Sequence, residues 1–350
     1  MPVKTNAVGK ERQYWGMLPM ANGKELMTMG KQMEDTGFEG AFMLQLYGPP
    51  FSALAAVASG TTRLKVATGV IVAAARSPFE TAYAAMDLDR ISDGRFVLGM
   101  GCSLPATTVG MHGLPKYKLM THLKDTIAAV RHIIAGAHKG LEPYEGIYYK
   151  ADYQEMIPTA PPVREKIPIW VGAMRENMTK MALENADGLL AHSLWTKRYT
   201  ADVIKPLIDQ TLADCNRARE DISISYWPWV AVNDNRQKAI DDSRLTVAYY
   251  AGMKGYEALF EAHGYLKEAK ICQEAALRQS DYGSILHLIP DEMVLEFVCC
   301  GSVEDVQEQI EPFWEYADSL CPMTPFVGLS LEEMQSYGAG IYQLVAAANA

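Results

Sequence analysis

Apolar positions along the chain alternate between short β-type runs and longer stretches with helical spacing. Residues 23–36 repeat apolar side chains at the helical period, and Gly37 follows as a residue suited to ending a helix. Strands are predicted at 40–44 and 64–72, and the nearly continuous apolar character of the second is typical of a parallel sheet covered on both faces. Pro78 is predicted to open a helix that runs to about residue 92.

The same order of strand and helix recurs over the rest of the chain. Strands are predicted at 95–99, 167–171, 189–192, 222–232 and 320–327, and helices at 118–137, 176–185, 202–218 and from about 236. About eight such units favour a closed (β/α)8 TIM barrel over an open doubly wound sheet. The stretch Gly99-Met-Gly-Cys-Ser-Leu104 lacks the third glycine of a dinucleotide fingerprint and follows a middle strand, which argues against the open sheet.

Two segments interrupt this repeat. Residues 141–164 are rich in Tyr and Pro and predict a hairpin-like excursion, and residues 252–291 predict a polar helical insertion. We therefore predict one α/β barrel domain over residues 1–350 with two insertion segments at the end that carries the active site.

Charge and cysteine usage narrow the classes of partner. Lys and Arg total 32 against 42 Asp and Glu, a formal net charge of -10, so nucleic acid and anionic membranes are not expected partners. The six cysteines are scattered without a CxxC pair, as in reduced cytosolic proteins, and the N-terminal sequence has no apolar signal core. The uncharged run 51–59 is too short to cross a bilayer. We expect a cytoplasmic protein, and no metal site, because the histidines lack paired spacing.

Two candidate sites lie in the first half of the chain, at predicted strand ends. Thr68-Gly69-Val70 places a glycine inside a buried strand, which indicates either a bulge that presses backbone against a planar ligand or a small residue under a bulky neighbour. The loop 99–103 ends in Cys102-Ser103, and either holds hydroxyls or phosphates of a cofactor tail or is an ordinary loop.

Two further candidates follow in the second half. In the segment 172–178, a strand runs straight into a helix, which indicates either phosphate binding at the helix start, with Arg175 as a cation, or simple capping by Asn177. His192-Ser193 ends another predicted strand. The histidine either donates to a phosphate or substrate or is a structural residue with its hydrogen bonds satisfied.

With these segments placed, the chain resembles the bacterial luciferase-like superfamily of flavin and deazaflavin oxidoreductases, in the branch that includes methylenetetrahydromethanopterin reductase. The residues that carry the resemblance are Leu-Lys-Val-Ala-Thr-Gly-Val-Ile-Val at 64–72, Arg-Ser-Pro at 76–78, Asp-Leu-Asp-Arg-Ile-Ser-Asp-Gly-Arg-Phe-Val-Leu-Gly at 87–99, Ile-Pro-Ile-Trp-Val-Gly at 167–172, Ala-Asp-Gly-Leu-Leu at 186–190, and segments 251–256, 290–294 and 300–305. The likeness covers almost the whole chain and does not specify a substrate.

The resemblance implies a (β/α)8 barrel that binds FMN or the deazaflavin coenzyme F420 at its C-terminal mouth, and a homodimer. It implies a cis peptide bond between Gly69 and Val70 that backs the ring of the cofactor. It also implies that Cys102 and Ser103 contact the ribityl-phosphate side of the cofactor and that Met174, Arg175, Asn177 and Met178 form its phosphate turn. With Thr68, Gly172, His192 and Ser193, taken from the strand-end pattern, these residues and Gly69-Val70 make up the predicted cofactor-binding set.

The chain departs from some relatives at catalytic positions. A sugar-phosphate dehydrogenase branch places an Asp-His pair and a Glu where this chain has Gln45-Leu46 and Leu104. The turn after residue 172 also lacks the usual glycine pair. Gln45, Tyr47 and His112 are the remaining candidates for proton transfer.

Three hypotheses about function follow. The first is hydride transfer between F420 and a small organic substrate, with Lys116, Lys118, Lys197 and Arg198 as a basic path for the acidic tail of the coenzyme. The second is an FMN-dependent monooxygenase that uses reduced flavin and oxygen in a dry pocket. The third is a flavin-binding protein without turnover.

Overall fold

The computed structural model describes residues 4–278 and 281–350. Its strands are β1 (Gln13–Met17), β2 (Gly40–Met43), β3 (Lys65–Thr68), β4 (Ile71–Val72), β5 (Phe96–Gly101), β6 (Tyr144–Glu145), β7 (Lys150–Ala151), β8 (Ile169–Ala173), β9 (Gly188–Ala191), β10 (Ser223–Tyr226), β11 (Trp229–Val232), β12 (Val298–Gly301) and β13 (Ser319–Leu320). Its helices are α1 (Gly23–Thr36), α2 (Phe51–Gly60), α3 (Pro78–Ile91), α4 (Leu119–Gly136), α5 (Glu176–Asn185), α6 (Lys197–Tyr199), α7 (Lys205–Asp214), α8 (Arg236–Ala251), α9 (Glu257–Ala262), α10 (Leu266–Leu277), α11 (Asp291–Phe297), α12 (Val303–Ile310) and α13 (Leu331–Asn349).

Eight strands of the described chain close into a parallel barrel. Their order is β3-β2-β1-β13-β10-β9-β8-β5, and β5 pairs back to β3, while β4 adds to the edge of β5. Strands that alternate with helices and close in this order form a (β/α)8 TIM barrel, which confirms the predicted fold class.

Contacts between Cα atoms divide the chain into two compact units. Unit 1 comprises Met1–Tyr14, Ala191–Pro206 and Tyr226–Ala350, and unit 2 comprises Trp15–Leu190 and Leu207–Ser225. The prediction of a single domain over residues 1–350 stays a prediction. No helix of residues 4–278 and 281–350 is long and apolar enough to cross a membrane.

Helix boundaries in unit 2 follow local capping chemistry. Asn22 precedes α1 and accepts a hydrogen bond from the backbone N–H of Glu25, whose carboxylate accepts the N–H of Asn22 in return. Gly37 ends α1 with a φ of 95°, a conformation that glycine adopts without steric penalty. The Ser77 hydroxyl caps α3 by accepting a hydrogen bond from the backbone N–H of Glu80, and Pro78 occupies the first position of the helix. These are the boundaries that the sequence predicts.

Several elements differ from the sequence prediction. The predicted strand 222–232 divides into β10 and β11 around Pro228, which has no N–H to donate to a ladder. The predicted strand 320–327 contains two prolines and shortens to β13. The segment 64–72 divides into β3 and β4. The short strands β1 and β12 and the helices α2 and α13 were not predicted. The strands have only a few residues, and α2 is almost wholly apolar, so neither gives a clear period.

The two irregular segments contain regular structure. Strands β6 and β7 form an antiparallel hairpin within 141–164. Asp125 on α4 holds this hairpin, because its carboxylate accepts hydrogen bonds from the Tyr144 hydroxyl at 2.7 Å and from the backbone N–H groups of Tyr148 and Tyr149 at 2.5 and 3.1 Å. The segment 252–291 contains α9 and α10, and its residues 279 and 280 lie outside the described residues.

Aromatic rings fill the interior of unit 2 near the strand starts. Trp15 lies 4.6 Å from Phe42 and 5.4 Å from Trp170, measured between ring centroids. Gly40 and Gly188 begin β2 and β9, and a Cβ atom at either would come within 2.5 Å and 2.3 Å of the Trp15 and Trp170 rings. The absence of a side chain at these two positions therefore makes room for the indoles, and the opposite strand ends remain for a binding site.

Candidate functional site

The predicted site residues of unit 2 follow the carboxyl ends of four barrel strands. Gln45 follows β2, Gly69-Val70 follows β3, Cys102-Ser103 follows β5 and Met174-Arg175 follows β8. Because parallel barrel strands point the same way, these segments share one end of the barrel, the end at which enzymes of this fold bind their substrates.

The end of β3 has the backbone conformation that the resemblance implies. The peptide bond between Gly69 and Val70 is cis, which confirms that expectation. The Gly69 N–H donates to the Met43 carbonyl at 2.9 Å, and the Gln45 N–H donates to the Val70 carbonyl at 3.4 Å. The segment is thus held against the end of β2 by backbone hydrogen bonds.

The glycines of the neighbouring strands make room for this segment. A Cβ atom at Gly101 would lie 2.8 Å from Cγ2 of Val70, and one at Gly172 would lie 3.5 Å from its Cγ1. The Thr68 hydroxyl is buried and both donates to and accepts from the Gly99 backbone at 2.8 Å. The Thr68 side chain is therefore engaged by β5, and Gly101 and Gly172 lie under the Val70 side chain.

The Gln45 side chain lies beside this segment, with its two polar atoms in different situations. Its Oε1 accepts from the Val72 backbone N–H at 3.1 Å and from Nη1 of Arg76 at 3.2 Å. Its Nε2 is buried and has no hydrogen-bond partner among the described residues. Protein atoms cover this nitrogen, so a ligand could reach it only after the side chain moves.

The loop after β5 presents a neutral thiol. Burial raises the pKa of Cys102 to about 12, and its Sγ lies 3.4 Å from the Leu119 carbonyl, to which it donates. Ser103 follows with a φ of 58°, a left-handed conformation uncommon for a residue other than glycine. Cys102 is therefore a hydrogen-bond donor rather than a nucleophile at neutral pH.

The turn after β8 opens α5 without a side-chain cap. Arg175 is the N-cap residue, no side chain of the described residues caps this helix, and Asn177 lies inside it as its second residue. The alternative that Asn177 caps the helix is therefore wrong. Arg175 and Asn177 are exposed, Met174 and Met178 are partly buried, and the backbone N–H groups at the start of α5 can donate hydrogen bonds to an anion.

Two of the candidates for proton transfer are exposed. Tyr47 is 77% exposed on the segment after β2, and His112 is exposed on the loop after β5, where its backbone N–H donates to the Thr107 carbonyl at 3.0 Å. Neither side chain is fixed by a hydrogen bond to another described residue. Their roles stay predictions.

His192 in unit 1 lies among aromatic rings. Its ring is 5.1 Å from that of Tyr256 and 6.0 Å from that of Tyr250, and its Nδ1 accepts from the Leu194 backbone N–H at 3.2 Å. Burial lowers its pKa to about 4, so the ring is neutral at physiological pH and carries its proton on Nε2. Ser193 beside it is partly buried. One nitrogen of His192 is thus satisfied within the fold and the other is a donor.

Sequence reasoning missed Arg76 as a site residue. It occurs in the Arg-Ser-Pro segment that carries the resemblance, and its contact with Gln45 joins positions 31 residues apart. The only signal was a cation directly after an apolar strand, which does not specify a role.

Comparisons with known proteins show the family of the chain. The sequence profile of the luciferase-like monooxygenase family matches residues 7–318. The chain belongs to this family. A Mycobacterium tuberculosis member with the provisional name coenzyme F420-dependent oxidoreductase is 30% identical over 326 residues, which cover 89% of this chain and 92% of that protein.

Two comparisons with Methanopyrus kandleri also show similarity. The 5,10-methylenetetrahydromethanopterin reductase of Methanopyrus kandleri is 27% identical over 309 residues, which cover 84% of this chain and 87% of that protein. The solved structure of the coenzyme F420-dependent tetrahydromethanopterin reductase from the same organism superposes with a TM-score of 0.77 at 22% identity, covering 95% of this chain and 97% of that one. The first of these matches confirms the predicted branch, and the second confirms the fold.

Proposed function

We propose that this luciferase-like enzyme is an F420-dependent oxidoreductase that transfers a hydride between F420 and a small organic substrate. The structural observation that carries the proposal is that the segments after β2, β3, β5 and β8, which include Gln45, Val70, Cys102 and Arg175, share one end of the barrel. The names of the relatives in Mycobacterium tuberculosis and Methanopyrus kandleri support F420 as the cofactor.

The residues of unit 2 fit such a cofactor. A flat ring suits the small apolar surface of the Gly69–Val70 segment, and an anionic tail suits the backbone N–H groups at the start of α5. Lys116 and Lys118 are exposed on the loop after β5 and form no ion pair with a described residue, as a basic path requires. When bound, F420 supplies the carbon that gives or accepts the hydride.

The remaining proposed binding residues divide into backbone and side-chain contributors. Gly69, Val70 and Gly172 offer backbone and a small apolar surface. Cys102 offers a neutral thiol and Ser103 a hydroxyl. In unit 1, His192 and Ser193 are proposed as further hydrogen-bond donors. Arg198, which was predicted to belong to the basic path, forms an ion pair with Glu296 at 3.5 Å.

Proton transfer is assigned to Tyr47 or His112. A carboxamide does not titrate near neutral pH, so Gln45 is a binding group and not a proton donor. Histidine suits proton transfer near pH 7, and the exposed positions of His112 and Tyr47 leave both free to close on a substrate.

An FMN-dependent monooxygenase is the second candidate. The description of the family profile as luciferase-like monooxygenase favours it, and the same strand ends would bind FMN. A flavin-binding protein without turnover is the third. We also propose a cytoplasmic homodimer on the resemblance to the family. All six cysteines are free thiols, in agreement with a reducing compartment.

Titration of the purified apoprotein with F420 and with FMN tests the proposal. Ring absorbance and fluorescence report binding of either cofactor. We expect F420 to bind at least about tenfold more tightly than FMN, a difference of about 1.4 kcal/mol. Preferential binding of FMN would favour the monooxygenase, and failure to bind either would refute both enzyme hypotheses. Oxidation or reduction of F420 across a panel of small alcohols, carbonyl compounds and imines separates an enzyme from a binding protein.

A further inference from the structure

Three rings of unit 1, those of His192, Tyr250 and Tyr256, form one cluster. The ring centroid of His192 lies 5.1 Å from that of Tyr256 and 6.0 Å from that of Tyr250, and the two tyrosine rings are 5.4 Å apart. Burial, and then the charge of a neighbouring Tyr256, raise the pKa of Tyr250, so the two hydroxyls also interact electrostatically. We call these three residues the donor cluster.

The polar atoms of the donor cluster are accessible. All three residues are partly exposed. Nε2 of His192 and the hydroxyls of Tyr250 and Tyr256 have no hydrogen-bond partner among the described residues, and none of them is among the unpartnered polar atoms that protein completely covers. These three donors are therefore available to a ligand, unlike the covered Nε2 of Gln45.

The donor cluster is neutral near pH 7. Nδ1 of His192 accepts the Leu194 N–H, and burial lowers the pKa of the ring to about 4, so the proton is on Nε2. Burial also raises the pKa of both tyrosines. No Lys, Arg, Asp or Glu side chain of the described residues contributes to any of these three shifts. The cluster thus offers N–H and O–H donors without a cation to offset the desolvation of an anion.

Apolar rings border the donor cluster. Trp229 at the start of β11 is buried, and its ring lies 4.7 Å from that of Tyr250. Phe326 is 42% exposed, and its ring lies 6.4 Å from that of Tyr250 at an angle of 89°. The exposed Phe326 ring offers apolar surface next to a free hydroxyl, a combination that favours a ligand with both a ring and an acceptor atom.

We propose that the donor cluster binds a neutral acceptor atom, such as a carbonyl or ether oxygen, of a cyclic apolar ligand whose ring packs against Phe326. His192 is the first residue after β9, and segments that follow parallel barrel strands lie at the end where enzymes of this fold bind their substrates. The ligand is therefore the substrate, a step that rests on the proposed function. Of the donors proposed in unit 1, this assigns His192 to the substrate. The cluster does not suit phosphorylated or carboxylate compounds.

Three naphthalene probes that differ in one substituent test the ligand class. 2-Acetonaphthone has a carbonyl acceptor, 2-ethylnaphthalene has none, and 2-naphthoate is an anion. Equilibrium dialysis against the full-length protein measures the Kd of each probe, both without coenzyme and with saturating F420, which keeps the probes out of the proposed cofactor site. We expect the naphthoate to bind at least about tenfold more weakly than the ketone.

Variants that remove single donors test the residues. Tyr250→Phe and Tyr256→Phe each delete one hydroxyl, and His192→Phe keeps a ring without an N–H. Each should weaken the ketone by about threefold to tenfold and leave 2-ethylnaphthalene within about twofold of the wild type, because the hydrocarbon accepts no hydrogen bond. Tyr265→Phe makes the same change at a partly buried tyrosine of unit 1 outside the cluster and should alter neither.

Two further measurements locate the ring of the ligand and its link to turnover. Phe326→Ala should weaken the ketone and the hydrocarbon by the same factor. For a compound that the wild type turns over with F420, Tyr250→Phe should raise KM more than it lowers kcat. Thermal melting of each variant establishes that it is folded.

The outcomes separate this inference from the proposed function. The inference is overturned if none of the probes binds, if the naphthoate binds as tightly as the ketone, or if the two Tyr→Phe variants bind the ketone as the wild type does. If they lose ketone binding but keep the wild-type KM, the ligand is not the substrate. If the wild type binds the ketone with the expected losses but does not bind F420, the site stands and the proposed function fails.

Discussion

Substitution of Gly101 by alanine should destabilise the protein through a single side-chain contact. The new Cβ would lie 2.8 Å from Cγ2 of Val70, whereas carbon atoms in normal contact are about 3.5–4.0 Å apart. The stiff, β-branched Val70 side chain must shift, and overpacking of this kind costs about 1–3 kcal/mol. At Gly172 the corresponding distance to Cγ1 is 3.5 Å, so Gly172→Ala is a matched control that should cost little.

A double-mutant cycle isolates this contact. Val70→Ala alone removes two partly buried methyl groups and should cost about 1 kcal/mol. It also removes the atom that a Cβ at Gly101 would contact, so the double variant should be more stable than the sum of the single effects by about 1–2 kcal/mol. Urea denaturation followed by tryptophan fluorescence measures all four free energies of unfolding. Strictly additive effects, or a Gly101→Ala variant as stable as the wild type, would refute the assigned packing.

Three other substitutions have defined outcomes. Glu34→Gln should lower the free energy of unfolding by about 1–3 kcal/mol in urea at pH 7. Desolvation alone would raise the pKa of this buried carboxylate, but hydrogen bonds from backbone N–H groups have the larger effect and lower the pKa to about 2. The difference between this variant and the wild type should shrink as the pH falls from about 4.5 towards 2. Asp125→Asn should release the hairpin of β6 and β7, seen as faster proteolysis within residues 144–151 while the core melts nearly as before. Because the folded pKa of His192 is depressed, protonation favours unfolding, and wild-type stability should fall by up to about 3 kcal/mol as the pH drops from about 6.5 to 4. His192→Gln should flatten that part of the pH profile, and an unchanged profile would contradict the assigned burial.

The elements that could be predicted are those with local chemical signals. The start of α3 follows from Ser77-Pro78, and the end of α1 follows from Gly37, because capping involves residues a few positions apart. Strand β1 has five residues, including a glutamine and a glycine, and offers too short a period to detect. The local pattern therefore predicts the barrel class, whereas the number and the length of the strands are known only from the structure.

The sequence predicts a candidate site at glycine-containing strand ends, but it carries little of the chemistry there. Gly101 and Gly172 accommodate Val70, a contact between distant strands. The pairing of Gln45 with Arg76 likewise joins residues 31 positions apart. Periodicity carries no information about such contacts, so the hydrogen-bonding state of Gln45 could not be inferred from the sequence.

The indoles of Trp15 and Trp170 are both buried, and their centroids lie 5.4 Å apart at an angle of 48°. Chromophores this close and tilted share their electronic excitation, which gives circular dichroism a paired positive and negative band. The couplet of this pair would report on the packing of the barrel interior. It would let variants of the mouth be checked for an intact interior before any coenzyme is added.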